Sequence, residues 1–62
     1  MGLTSRQLDV AKLVGKGESN KAIARSLGIT DRTVKAHLTT IFDKLGVADR
    51  VHLALYVTKH LM

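Results

Sequence analysis

The chain lacks several residue types and patterns, and each absence excludes a class of protein. It has 62 residues and no cysteine, so neither a disulfide nor a thiolate-bound metal stabilises it. Its stability therefore rests on one small core and is expected to be of order a few kcal/mol. With no signal peptide and no run of about 18 apolar residues, we expect a single domain over residues 1–62 that works in the cytoplasm and does not span a membrane.

Aromatic and acidic residues are also scarce. The aromatic residues are Phe42 and Tyr56, and ten Lys and Arg face five Asp and Glu, which gives a net charge of +5. An excess of positive charge favours a polyanionic partner, although charge alone is equally compatible with a solvated surface. The lack of aromatic side chains for base stacking argues against single-strand binding and favours duplex DNA read in a groove.

Residues for catalysis or metal binding do not form a recognisable pattern. His52 and His60 are eight positions apart, with no cysteine or carboxylate at ligand spacing. No His-carboxylate pair is placed to activate a serine or threonine, and His37 is interpreted as a partly buried, hydrogen-bonded side chain. We therefore expect no enzyme activity, no metal and no cofactor.

The central stretch, residues 19–40, predicts two short helices joined by a tight turn. Apolar residues recur at helical spacing in both halves. Between them, Gly28 can take the left-handed conformation that ends a helix, and Thr30 can cap the next helix. Ala24 is small enough to let the two helices cross closely, and Val34 can fill the space in the angle between them. This arrangement is the helix-turn-helix.

The second of these helices has a polar outward face. On a wheel of 100° per residue, Val34, Leu38 and Ile41 share the inward side. Cations, hydroxyls and a methyl group lie opposite, and these groups suit the major groove of DNA. The outward residues are Arg32, Lys35, Ala36, Thr39 and Thr40. Three residues that face outward from the first helix of this pair are expected to contact phosphates, and they are Asn20, Lys21 and Arg25. Thr33, at the start of the second helix, can also donate to a phosphate.

The flanking segments predict one further helix on each side. Thr4 and Gln7 form a capping box in front of a helix over residues 5–14. The second helix of the helix-turn-helix is expected over residues 31–45. Asp49 is expected to cap a fourth helix from Arg50 to about His60. The fourth helix is apolar on more than one side. The apolar residues beyond one core-facing stripe either form the interface of a symmetric dimer or are simply exposed at the surface, and the sequence favours the two interpretations equally.

Three stretches resemble the DNA-binding domain of LuxR/FixJ-type (NarL-type) transcriptional regulators. They are LTSRQLDV at residues 3–10, GESNKAIARSLGITDRTVKAHL at residues 17–38 and KLGVADR at residues 44–50. The resemblance implies an all-α, four-helix helix-turn-helix domain of the winged-helix-like superfamily, without a wing. It also implies a domain taken from a larger cytoplasmic regulator that binds double-stranded DNA as a homodimer and has RNA polymerase as a further partner.

The resemblance also assigns roles to individual positions. The implied base contacts are Arg32, Lys35, Ala36 and Thr39, and the implied backbone contacts are Asn20, Lys21, Thr30, Thr33, Lys44 and Arg50. The fourth helix is implied to form the dimer interface through Val51, Leu55 and Val57. One departure from the family pattern is Gln7, where a glutamate is usual. This departure removes a charged partner for an arginine such as Arg50.

The kind of regulator is left open at this point. The output domain of a two-component response regulator is favoured over that of an acyl-homoserine-lactone quorum-sensing receptor. A module of another class, a protein-interaction domain resembling a promoter-reading region of a sigma factor, is an alternative because of the apolar surplus on the fourth helix.

Overall fold

The fold consists of four α-helices connected by short turns. A computed structural model describes residues 2–61, and within that range there is no β-strand. The helices are α1 (Ser5–Gly15), α2 (Asn20–Leu27), α3 (Asp31–Leu45) and α4 (Arg50–His60). The predicted all-α class is confirmed, and the predicted bounds of α3 and α4 agree with the structure.

Each helix begins at a residue whose side chain caps it. Thr4 accepts a hydrogen bond from the backbone N–H of Gln7, and the Gln7 side chain accepts one from the backbone N–H of Thr4, which completes the predicted capping box. Ser19 caps α2 without a reciprocal bond, because the third helical position is Ala22. These local bonds satisfy backbone donors that the first turn of a helix leaves free.

Two glycines end the central helices in the left-handed conformation. Gly28 has φ 69° at the end of α2, and Gly46 has φ 67° at the end of α3. L-residues with a Cβ rarely adopt such angles, so glycine is the favoured residue there. The Gly28 turn is the predicted bend between the two helices of the helix-turn-helix.

One hydrophobic core receives residues from all four helices. α1 packs mainly against α4 and also against α3, and α2 packs on α3. Ala24 is only 4% exposed, as expected for the close crossing of α2 and α3. The buried apolar residues are Val10, Ala11, Val14, Ile23, Ala24, Val34, Leu38, Ile41, Leu53 and Val57. Packing the inward stripe of α3 into this core leaves its opposite face in solvent.

Candidate nucleic-acid interface

The outward face of α3 lies in solvent over its N-terminal half. Val34 is fully buried and Leu38 is 6% exposed, so the helix is fixed by its inner stripe. The four predicted base-contacting residues are all exposed on the other side: Arg32, Lys35, Ala36 and Thr39. The structure thus brings together on one helix face the cations, hydroxyls and methyl group that the helical wheel predicted.

The cations at this face have no carboxylate within ion-pair distance among residues 2–61. In that range, the close contact between a basic and an acidic side chain is that of His52 with Asp49, with 3.1 Å between Nδ1 and Oδ1. It lies at the start of α4. Lys21, Arg32 and Lys35 are exposed and have no carboxylate partner in this part of the chain. Their charges therefore face solvent, where a polyanion can reach them.

The first turn of α3 holds two threonine hydroxyls close together. The Oγ1 of Thr30 accepts from the Thr33 backbone N–H at 3.1 Å and lies 2.9 Å from the Thr33 Oγ1. Thr30 is exposed and Thr33 is half-buried. Both hydroxyls lie at the helix N-terminus, where the partial positive charge of the helix dipole favours an anion such as phosphate.

Two predicted backbone contacts, Asn20 and Arg50, are hydrogen-bonded to each other. The Arg50 guanidinium donates to the Asn20 side-chain oxygen and to the Glu18 backbone carbonyl. Arg50 and Asn20 are both half-buried. The guanidinium therefore joins the first turn of α4 to the start of α2, a link that sequence reasoning missed because the partners are 30 positions apart.

Gln7 and Lys44 form a second internal link. Lys44 Nζ donates to Gln7 Oε1 at 3.0 Å and to the Gly2 carbonyl at 2.9 Å. The glutamine that was predicted to deprive an arginine of its partner thus binds a lysine instead. An ammonium has three N–H donors, and Lys44 uses two of them inside the domain. At most one N–H donor of Lys44 is therefore left for its predicted phosphate contact.

Two hydroxyls on α3 also bond to the helix itself. Thr39 Oγ1 donates to the Lys35 carbonyl at 3.1 Å, and Thr40 Oγ1 donates to the Ala36 carbonyl at 3.3 Å. Both side chains are exposed. Such bonds to the preceding turn are a common alternative to an outward-facing hydroxyl in helices, and periodicity alone does not reveal them.

The assignment of Val57 to a dimer interface was wrong. Val57 is fully buried in the core, so it cannot contact another chain without unfolding. Val51 and Leu55, by contrast, are 68% and 62% exposed. Helix α4 is apolar on several sides, and the structure shows that Leu53 and Val57 form the inner side while Val51 and Leu55 lie on the outer side.

A shallow groove runs beside the outer side of α4. Its volume is about 420 Å³. The lining residues are Gly46, Val47, Ala48, His52, Leu55, Tyr56 and Lys59. The Tyr56 ring lies 4.6 Å from the His60 ring between centroids. The groove is separate from the outward face of α3, so the domain has two distinct surfaces.

Comparison with known proteins agrees with this architecture. A family model described as bacterial regulatory proteins of the luxR family matches residues 1–57. The chain belongs to this family. The resemblance inferred from the three sequence stretches is thereby confirmed, and the helix-turn-helix at residues 19–40 lies inside the matched range.

Several curated proteins are similar to nearly the whole chain. The transcriptional regulatory protein LiaR of Bacillus subtilis is 43% identical over 58 residues, which cover 94% of this chain and 28% of LiaR. The response regulator protein VraR of Staphylococcus aureus is 41% identical over 58 residues, again 94% of this chain and 28% of VraR. The chain thus spans less than a third of the length of these relatives, of which LiaR is named as a transcriptional regulatory protein and VraR as a response regulator.

No helix within residues 2–61 has the length and apolar character needed to cross a bilayer. In the same range, histidine and acidic side chains do not cluster in groups of three suited to a metal ion.

Proposed function

We propose that this chain is the sequence-specific, duplex-DNA-binding domain of a bacterial transcription regulator, with α3 in the major groove. The observation that carries the proposal is the outward face of α3. It combines two cations that have no carboxylate partner among residues 2–61, Arg32 and Lys35, with the small side chains Ala36 and Thr39, on a helix whose opposite side is buried in the core. Long cations reach guanine acceptors, and small residues permit close approach to the bases.

The phosphate contacts are assigned to residues on either side of this helix. Lys21 at the start of α2 is exposed, and the Thr30 and Thr33 hydroxyls surround the N-terminus of α3. Phosphate contacts of this kind fix the register of a protein on DNA. Asn20, Lys44 and Arg50 are partly used inside the domain, so we assign them the secondary role of holding α2 and α3 in place.

The regulator is proposed to be a two-component response regulator, and this chain its output domain acting in the cytoplasm. Support comes from VraR, whose name is that of a response regulator and of which this chain matches 28%. An acyl-homoserine-lactone receptor is the alternative kind of regulator. The proposal is also that residues 1–62 are one domain of a longer protein, with RNA polymerase as a further partner.

Dimerisation is proposed to use the outer side of α4. Val51 and Leu55 are the large apolar residues that this domain leaves most exposed, and the groove beside Leu55 offers a complementary surface. Two domains related by a twofold axis would place two α3 helices on two half-sites of DNA. Linked binding then raises the affinity beyond that of one copy.

Duplexes that bind the wild-type chain are first enriched from a randomised pool. The test is a titration of these duplexes, fluorescently labelled, with the wild-type chain and with Lys35→Ala. The variant is expected to bind about 5 to 150 times more weakly, since loss of a base-contacting cation costs roughly 1–3 kcal/mol. Lys12→Ala is the matched control, because it removes the same charge from the exposed face of α1. It should reduce affinity far less than Lys35→Ala does.

Salt dependence separates DNA binding from the sigma-factor-like alternative. Binding through several phosphates weakens steeply as salt rises, whereas an apolar protein contact hardly changes. If the wild-type chain enriches no sequence from the pool, or if Lys12→Ala and Lys35→Ala weaken binding equally, α3 does not read DNA and the proposal fails.

A further inference from the structure

The hydroxyl of Thr39 has no donor left for a base. A threonine hydroxyl carries one hydrogen, and Thr39 Oγ1 donates it to the Lys35 carbonyl at 3.1 Å. The residue is nevertheless exposed on the face proposed to enter the groove. The hydroxyl hydrogen that a threonine would be expected to offer to a base is therefore not available on Thr39.

A threonine can contact a base edge in three ways. It can donate to an acceptor such as guanine O6, accept from the amino group of adenine or cytosine, or place its methyl group against the thymine methyl. The bond to Lys35 uses the donor and turns Oγ1 back towards the preceding helical turn. The methyl carbon is then the group of Thr39 that is left to project from the helix.

Ala36 places a second methyl group beside the first. It precedes Thr39 by three positions, and side chains at this spacing are neighbours on a helix surface. Ala36 is also exposed. The two methyl groups form a small apolar patch on a face that is otherwise cationic, and such a patch gains nothing from phosphate or from a guanine edge.

We propose that Thr39 selects thymine through its methyl group and does not read a base through its hydroxyl. This inference rests on the proposed function, because it names the base chemistry that one position of α3 recognises. It predicts an A·T pair at the position of the binding site that lies against Thr39.

The experiment replaces, one at a time, each thymine of the enriched duplex by deoxyuridine, which removes only the C5 methyl group. With the wild-type chain, one replacement should weaken binding about fourfold, the factor expected for one buried methyl group. Thr39→Val keeps the methyl group and removes the hydroxyl, so it should keep this sensitivity. Thr39→Ser keeps the hydroxyl and removes the methyl group, so it should bind the thymine and deoxyuridine duplexes equally.

Thr58→Ser is the control for loss of a threonine methyl group outside the outward face of α3. Thr58 lies on α4, is exposed and makes the same kind of bond to its own helix, to the Ala54 carbonyl at 3.0 Å, and its change to serine should leave the thymine sensitivity intact. All three variants alter exposed side chains, and matching circular dichroism spectra and melting temperatures would show that each is folded.

The opposite pattern would overturn the inference. If Thr39→Ser keeps the deoxyuridine effect and Thr39→Val loses it, the hydroxyl turns outward and reads the base. If no thymine replacement depends on residue 39, the methyl contact does not exist, although DNA binding itself stands. A chain that enriches no duplex would overturn both this inference and the proposed function, so the two failures are distinguishable.

Discussion

Gln7→Glu is expected to stabilise the domain by strengthening the link between α1 and α3. The Gln7 side-chain oxygen accepts from the Thr4 backbone N–H and from the Lys44 ammonium, both at 3.0 Å. The bond from Lys44 already has a charged donor, whereas the bond from the Thr4 N–H is neutral. Gln7→Glu makes the Thr4 bond a charged one, and a hydrogen bond to a charged group contributes about 1.5–3 kcal/mol, compared with about 1 kcal/mol for a neutral one. The carboxylate also turns the contact with Lys44 into an ion pair, which contributes up to about 1 kcal/mol at an exposed site. A negative charge in the first turn of α1 adds about 0.3–1 kcal/mol through the helix dipole.

Desolvation opposes this gain. Gln7 is only 8% exposed, and transferring a carboxylate out of water costs several kcal/mol when it is fully enclosed. Here the partner Lys44 remains exposed, so the pair keeps contact with water and the cost is smaller. We expect a net gain of about 1 kcal/mol, which corresponds to a rise in melting temperature of roughly 4–8 °C for a domain of this size.

The measurement is thermal and urea unfolding of four proteins: wild type, Gln7→Glu, Lys44→Met and the double variant. Methionine keeps the aliphatic stem of Lys44 and removes its charge, so the cycle isolates the interaction between the two side chains. We expect the Lys44 ammonium to hold the pKa of the introduced carboxyl below its usual value in the folded state. The gain should therefore be complete above about pH 4.3, the unfolded value, and disappear as the pH falls through the folded-state pKa.

Three results would refute this reasoning. Gln7→Glu no more stable than wild type at pH 7 would mean that desolvation exceeds the electrostatic gain. A gain that is undiminished in the Lys44→Met background would show that the interaction with Lys44 contributes nothing. A gain that does not decrease at any acid pH at which the domain is folded would show that charge is not involved.

Two further predictions concern α4. Val57→Ala should lower the free energy of unfolding by about 2 kcal/mol, because it removes two buried methyl groups and leaves a cavity. Leu55→Ala, on the exposed side, should change the free energy of unfolding of the monomer by less than about 0.5 kcal/mol. It should weaken self-association, as measured by analytical ultracentrifugation. Equal destabilisation by the two variants would contradict the assigned inner and outer sides. Asp49 caps α4 through the His52 backbone N–H at 3.0 Å, and this bond is the main reason that the Asp49 pKa is lowered from its usual 3.8. The stabilisation of α4 by the charged cap should be fully present above pH 3.8 and lost as the pH falls through the lowered pKa of Asp49. Asp49→Ala should therefore lower the melting temperature at pH 7, and the difference from wild type should shrink as the pH falls below 3.8; a difference that stays constant throughout the acid range would exclude the charged cap.

The parts of the fold that depend on near neighbours could be predicted from the sequence. Each cap on Thr4, Ser19 and Thr30 binds a backbone N–H three residues ahead, so residue type and spacing were sufficient. The left-handed turn at Gly28 follows from the same local rules. Helical periodicity alone predicts that one helix face is shared by Arg32, Lys35 and Thr39.

The remaining features depend on distant neighbours. Lys44 meets a partner 37 positions away and Arg50 one that is 30 positions away, and a long cationic side chain gives no indication in the sequence of which acceptor it will find. The inner side of α4 was misjudged at Val57 because apolar residues lie on several sides of that helix. Contacts of α3 with DNA bases and phosphates remain predictions.

The packing of α1 against α4 has a consequence for the order of events during synthesis. The helix-turn-helix at residues 19–40 is contiguous, yet its buried stripe is covered by a core that includes Val10 near one end and Val57 near the other. During translation, residues 19–40 leave the ribosome before Leu53 and Val57 are available to cover that core. We expect a nascent chain that is arrested before residue 57 to hold the complete helix-turn-helix sequence without a folded domain, so the proposed DNA-binding surface would form only when α4 emerges.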